Sequence, residues 1–204
     1  MSNSTSPAAS LRHHPAFVQF WFARIASGFG FQMLSVAVGW QIYEITGRAL
    51  DLGLIGLVQF IPSVLLALPA GHVADQFERR RIVLLGQIVD LVAIAVLAAL
   101  SLLHAAHEAS ILALVFVIGV AKAFEFPAMQ SMLPALVPPP LLGRAMAVNA
   151  SAGQAAMIMG PALGGLLYVA GPGVVYVVCA LLYLAAVLLM SRLRYEQAQP
   201  KREP

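Results

Sequence analysis

Apolar residues gather into six runs along the chain, separated by short polar, charged or glycine–proline stretches. The runs extend from about Val18 to Tyr43, Leu52 to Ala70, Ile82 to Leu103, Ile111 to Phe126, Ala145 to Val169 and Val174 to Met190. A helix rises about 1.5 Å per residue, so runs of this length match the roughly 30 Å of hydrocarbon in a bilayer. The fourth is the weakest of them, interrupted by both Lys122 and Glu125. The pattern predicts an all-α membrane protein with six transmembrane helices in one bundle over residues 16–192. Met1 to Pro15, rich in Ser, Ala and Pro, lacks the apolar core of a cleavable signal peptide and reads as a disordered cytosolic tail.

Composition agrees. Apolar residues make up 60% of the 204 positions and charged residues 10%, with a mean hydropathy of +0.85, where soluble domains carry about a quarter charged residues. The net charge of +3 does not imply a nucleic-acid partner, because the basic residues flank apolar runs instead of forming a stripe. Counted across six spans, one side receives Arg12, Arg79, Arg80, Arg81, Arg144, Arg192, Arg194, Lys201 and Arg202, and the other only Arg48. That asymmetry places both termini in the cytoplasm. Cys179 is the only cysteine and lies in an apolar run, so no intramolecular disulfide is possible. His104 and His107 read as a wet loop, and neither a metal site nor a cofactor motif is expected; no phosphate-cradling loop or nucleophile triad marks an enzyme.

Charges inside the spans are the candidate chemistry, since burying one costs about 2.5 to 3.5 kcal/mol even on insertion scales. Arg24, a few residues into the first span, reads as an anchor that snorkels to the headgroups in preference to a substrate ligand. Asp90, roughly 12 Å into the third span, has too short a stem for that and is expected to face protein or water. Lys122 and Glu125 stand three apart on one helical face, and either pair locally near the cytosolic end or serve as a substrate or proton site.

Two further patterns involve small residues. Gly153, Ala156, Gly160 and Gly164 recur at steps of three, four and four, a stripe that invites close helix approach, and Gly53, Gly56, Ser63, Ala67 and Gly71 do much the same on the second run. Between the second and third runs, Gly71-His72-Val73-Ala74-Asp75-Gln76-Phe77-Glu78-Arg79-Arg80-Arg81 packs a glycine, an acid and three arginines into a short turn. Gly71 reads as a helix end, Asp75 as an acid placed near a helix N-terminus, and Arg79 to Arg81 as an anchor on an anionic membrane face.

This turn resembles the loop between helices 2 and 3 of the major facilitator superfamily of transporters. Phe20-Trp21-Phe22-Ala23-Arg24 through Gly39-Trp40-Gln41-Ile42-Tyr43-Glu44-Ile45-Thr46-Gly47, and Ala121-Lys122-Ala123-Phe124-Glu125-Phe126-Pro127, are similar to the branch of enterobactin-type exporters and transmembrane secretion effectors. Gly160-Pro161-Ala162-Leu163-Gly164-Gly165 resembles the glycine–proline signature of export-type members. The chain departs from the family pattern at Gln76, where a basic residue is usual, at Met129 and Met157, where the branch often has arginine, and at Phe31, where it often has an acid.

The resemblance implies half of a twelve-helix fold, itself a 3+3 inverted repeat, with residues 193–204 as the start of a cytosolic linker. It implies a secondary exporter of small, drug- or siderophore-like molecules in the inner membrane, working by alternating access, with the small-residue stripes of the second and fifth helices on the seam toward a second six-helix half. The alternative is a truncated or non-transporting six-helix protein that self-associates or assembles with another membrane chain. The implied partners are the lipid bilayer, a small-molecule substrate and that second bundle.

Overall fold

A computed structural model describes residues 11–193, without the side chains of Ala74 and Asp75. The described residues form seven α-helices joined by short turns and contain no strand: α1 (Pro15–Thr46), α2 (Ala49–Leu65), α3 (Ala67–Gln76), α4 (Arg79–Leu102), α5 (Glu108–Met132), α6 (Leu142–Tyr168) and α7 (Pro172–Arg192). Order begins earlier than expected. Leu11–His13 is a 3-10 turn with Leu11 buried, because Leu11 joins the apolar cluster around Phe17, Met132 and Leu193. The rest of that tail, and the linker-like segment after Leu193, lie outside the described residues.

The second predicted span is two helices. α2 and α3 meet at 52° about Leu66. Pro69 accounts for the break, since its ring removes the hydrogen bond to the carbonyl of Leu65 and crowds that oxygen. By length and composition four helices can each cross a bilayer, Pro15–Thr46, Arg79–Leu102, Glu108–Ala135 and Pro172–Arg192, and the bent α2–α3 pair makes a fifth. At 27 residues α6 is long enough, but Asn149, Gln154 and its many Gly and Ala residues make it less apolar than the others.

Packing runs in a chain of neighbours: α6 on α1, α1 on α7, α7 on α4, α4 on α5 and α5 on α2. Exchanging α1 with α5, α2 with α6 and α4 with α7 leaves this pattern unchanged. Two apolar cores result. One gathers Phe17, Phe20, Ala23, Val83, Ala128, Met132, Ala186 and Met190, and the other Leu34, Val38, Ile42, Ile94, Leu97, Ile111, Val115, Ile118 and Tyr176. Along α1, α4 and α5 the stretch between the cores carries Arg24 and Ser27, then Gln87 and Asp90, then Lys122 and Glu125. A polar layer thus divides the bundle at mid-height. The outside is apolar, with Leu50, Leu65, Leu68, Val169 and Ile158 more than two-thirds exposed, as lipid-facing positions are.

Candidate functional site in the polar layer

Lys122 is the centre of the layer. Its ammonium lies 2.9 Å from Asp90 Oδ2 and is ion-paired with Glu125. It also sits over two rings, 5.0 Å from the centre of Tyr183 and 5.5 Å from that of Phe31. Gln87 donates its Nε2 to Glu125 Oε1 at 3.2 Å. Gly86 makes the arrangement possible: a Cβ there would stand 3.2 Å from Glu125 Cβ, so its absence lets α4 approach α5.

The pairing of Lys122 with Glu125 thus extends to Asp90, on another helix. It is not near the cytosolic end, because α5 continues ten residues beyond Lys122. Asp90 faces protein and is fully buried. Satisfaction is incomplete: Asp90 Oδ1, Gln87 Oε1 and the Tyr183 hydroxyl are buried and hydrogen-bond to no described residue. Buried polar groups are paired in more than about nine cases in ten, and a partly satisfied network costs stability that an apolar core would not.

A cavity of about 580 Å³ opens beside the layer, walled by α1, α2, α3, α5 and α6. Lys122 and Glu125 reach it, among Phe31, Phe126, Met129 and Ala156; Asp90 does not. Arg24 lines it as well, which corrects the reading of this residue as a headgroup anchor. The helix begins nine residues earlier, at Pro15, so Arg24 sits three residues, nearly one turn, deeper than the Val18 boundary implied, on the face that turns inward.

The charged turn is also rearranged. Gly71 ends no helix, since α3 continues to Gln76. Arg79 donates to the carbonyl of Ser131 at 3.0 Å, and Arg80 to those of Met190, at 3.1 Å, and Ser191. Two of the three arginines therefore cap the C-terminal ends of α5 and α7, where cations are favoured. Only Arg81 projects outward, paired with Glu78 at 2.6 Å. The Asp75 side chain, expected near a helix N-terminus, lies outside what the structure describes.

The α6 stripe is likewise used within the bundle. A Cβ on Gly164 would meet the Met33 backbone at 2.9 Å, one on Gly160 would meet Gln32 Cβ at 2.5 Å, and Ala156 packs over Gly28. Gly160 and Gly164 are therefore spent on α1 and are not free for another chain. Pro161 follows Gly160 without ending α6, and Gly153 and Gly165 face open space. On α2 and α3, Gly53, Gly56 and Gly71 meet nothing either.

Some polar positions of the buried networks escaped sequence reasoning. Gln87 carries a signal, standing one turn from Asp90 on the same face, whereas Tyr183 looked like any apolar-run aromatic. At the other end of the bundle Gln41 donates to Ser101 at 2.8 Å and accepts from the Tyr176 hydroxyl at 2.7 Å, tying α1, α4 and α7 together. Arg48, the lone Lys or Arg of that end among the described residues, bridges Asp51 at 2.9 Å and Glu108 at 3.3 Å. Its guanidinium is held charged beyond its ordinary range, first by the hydrogen bond to Asp51. His104 and His107 are exposed there, and the backbone N–H of His107 donates to Ser110 at the start of α5.

Known proteins share this sequence pattern. The multidrug efflux pump Tap of Mycolicibacterium fortuitum is 26% identical over 183 residues, covering 87% of this chain and 45% of its own. Macrolide efflux protein A of Streptococcus pyogenes is 24% identical over 152 residues, covering 74% and 38%. The chain spans less than half the length of these relatives. A family model described as transmembrane secretion effector matches residues 5–203. The chain belongs to that family, within the major facilitator transporters.

Proposed function

We propose that this chain supplies the N-terminal six-span bundle of an efflux transporter, with α6 as the sixth span and both termini in the cytosol of an inner membrane. The charged layer beside an open cavity carries the reading: a partly satisfied Asp90–Lys122–Glu125 cluster at mid-membrane is costly to build, and it lies where a transported molecule would enter. The exchange of α1, α2 and α4 with α5, α6 and α7 that preserves the packing pattern supports an inverted repeat of the kind transporters use for alternating access. The names of the relatives, multidrug and macrolide efflux, support export over import.

Accumulation of labelled compounds in an efflux-deficient host is the test, with this chain expressed alone and with a second six-span bundle, and a panel that includes a macrolide, a cationic dye and an organic anion. Lower accumulation of at least one compound, restored by Lys122→Met, is expected of the paired bundles. Identical accumulation with and without the protein across the panel would overturn the reading.

A further inference from the structure

We propose that the cavity receives an apolar organic anion, a molecule with a ring or short hydrocarbon body and one acidic oxygen group, and that Arg24 binds that group. The inference deepens the transporter reading and rests on it for the claim that the bound molecule is cargo.

Three charged residues line the cavity: Arg24, Lys122 and Glu125. Two are already occupied. Lys122 is shared by Asp90 and Glu125, and Glu125, 3% exposed, accepts from Gln87 and Lys122 on its two oxygens. The Arg24 guanidinium makes no hydrogen bond or ion pair with any described residue. Arg24 with Lys122 balances Asp90 with Glu125, so the site as a whole does not repel an anion. Asp90 lies out of reach of the cavity and both Glu125 oxygens are engaged, whereas Arg24 lines it as the one charged donor group left open. Guanidinium donors favour acidic oxygens, bound through two parallel hydrogen bonds. The remaining wall, with Phe31, Phe126, Met129 and Ala156, suits an apolar body.

A cation would have to displace Lys122 from between two carboxylates, one of them out of reach of the cavity. A neutral molecule of the same shape would gain the wall and leave the guanidinium unpaired.

The test is equilibrium binding to the full chain in phosphatidylcholine nanodiscs, with empty nanodiscs subtracted. The probes share one skeleton: naphthalene-2-sulfonate, 2-naphthalenemethanol and 2-naphthylmethylammonium. The sulfonate should bind about tenfold tighter than the alcohol, the scale of a charge-assisted hydrogen bond, and the ammonium no tighter than the alcohol. Arg24→Gln should remove the preference while alcohol binding persists, which also reports that the variant is folded; Arg24→Lys should retain part of it. Equal binding of sulfonate and alcohol to the unaltered chain, tighter binding of the ammonium, or an unchanged preference in Arg24→Gln would each overturn the proposal. The sulfonate preference without any efflux would remove the transporter reading and leave the site. Efflux without the preference would do the reverse.

Discussion

Lys122 holds two carboxylates apart from one another's charge, and its removal should cost more than the removal of either. Lys122→Met leaves Asp90 and Glu125 buried side by side, an uncompensated charge whose cost is on the order of 3–5 kcal/mol. Asp90→Asn leaves Lys122 paired with Glu125 and takes away a fully buried acid, so it should be far milder. Thermal unfolding in detergent should rank Lys122→Met well below Asp90→Asn, and the opposite order would mean that Asp90 carries the fold. Part of this was legible in sequence. The three-residue spacing of Lys122 and Glu125, and the short stem of Asp90, identify groups that must find partners inside the bundle. That α4 and α5 bring the three together was not, because a contact between residues 90 and 122 depends on helix pairing, which spacing along one helix does not encode. Arg24 misled for a related reason: a snorkelling side chain and a cavity-lining one look identical until the inward face of α1 is known.

Glycines that looked alike along α6 differ in what they touch. At Gly164 an added methyl meets the Met33 backbone at 2.9 Å, and overpacking of this kind costs about 1–3 kcal/mol, more than the roughly 1 kcal/mol that Ala gains over Gly in a helix. At Gly153 nothing lies within 4 Å, so the helix term stands alone. Gly164→Ala should therefore lower the midpoint of thermal unfolding, and Gly153→Ala should hold or raise it. Equal effects would mean that α1 and α6 are not closely packed. The stripe itself was plain in the sequence; its partner was not, since small residues invite any close neighbour. The same holds for the second span, whose hydrophobicity is continuous across residues 52–70 while Pro69 splits its backbone. Hydropathy reports where a segment sits, and backbone chemistry decides whether it is one rod.

The two ends of the whole molecule differ in charge as the loop counts required. Arg79 to Arg81 lie with the C-terminal ends of α5 and α7, and Arg48 with Glu108 at the opposite end. Because Cys179 is fully buried, single cysteines can be added without competing labelling. His104→Cys should react with a membrane-impermeant maleimide on intact cells, and Gln76→Cys only after lysis; both positions are exposed. Labelling of Gln76→Cys from outside would invert the topology. The six-run pattern and the charge asymmetry made the class of the molecule readable, while the division into two cores with a polar layer between them required the fold.

The break at Leu66 gives the cavity one wall unlike the others. α1, α5 and α6 each place several buried residues in the packed interior, whereas α3, among its described side chains, buries Ala70 and lays only a partly buried Val73 against one core. Its ten residues form an arm about 15 Å long, so that turning it by about 10° at Leu66 carries its far end roughly 3 Å. Ala67, which lines the cavity, sits at the pivot, and the arginine-bearing turn hangs from the tip. Motion at the arginine-bearing turn is thereby geared down to a small change at the chamber, resisted by the Arg79 and Arg80 bonds to α5 and α7 and by Val73 against the core around Phe17.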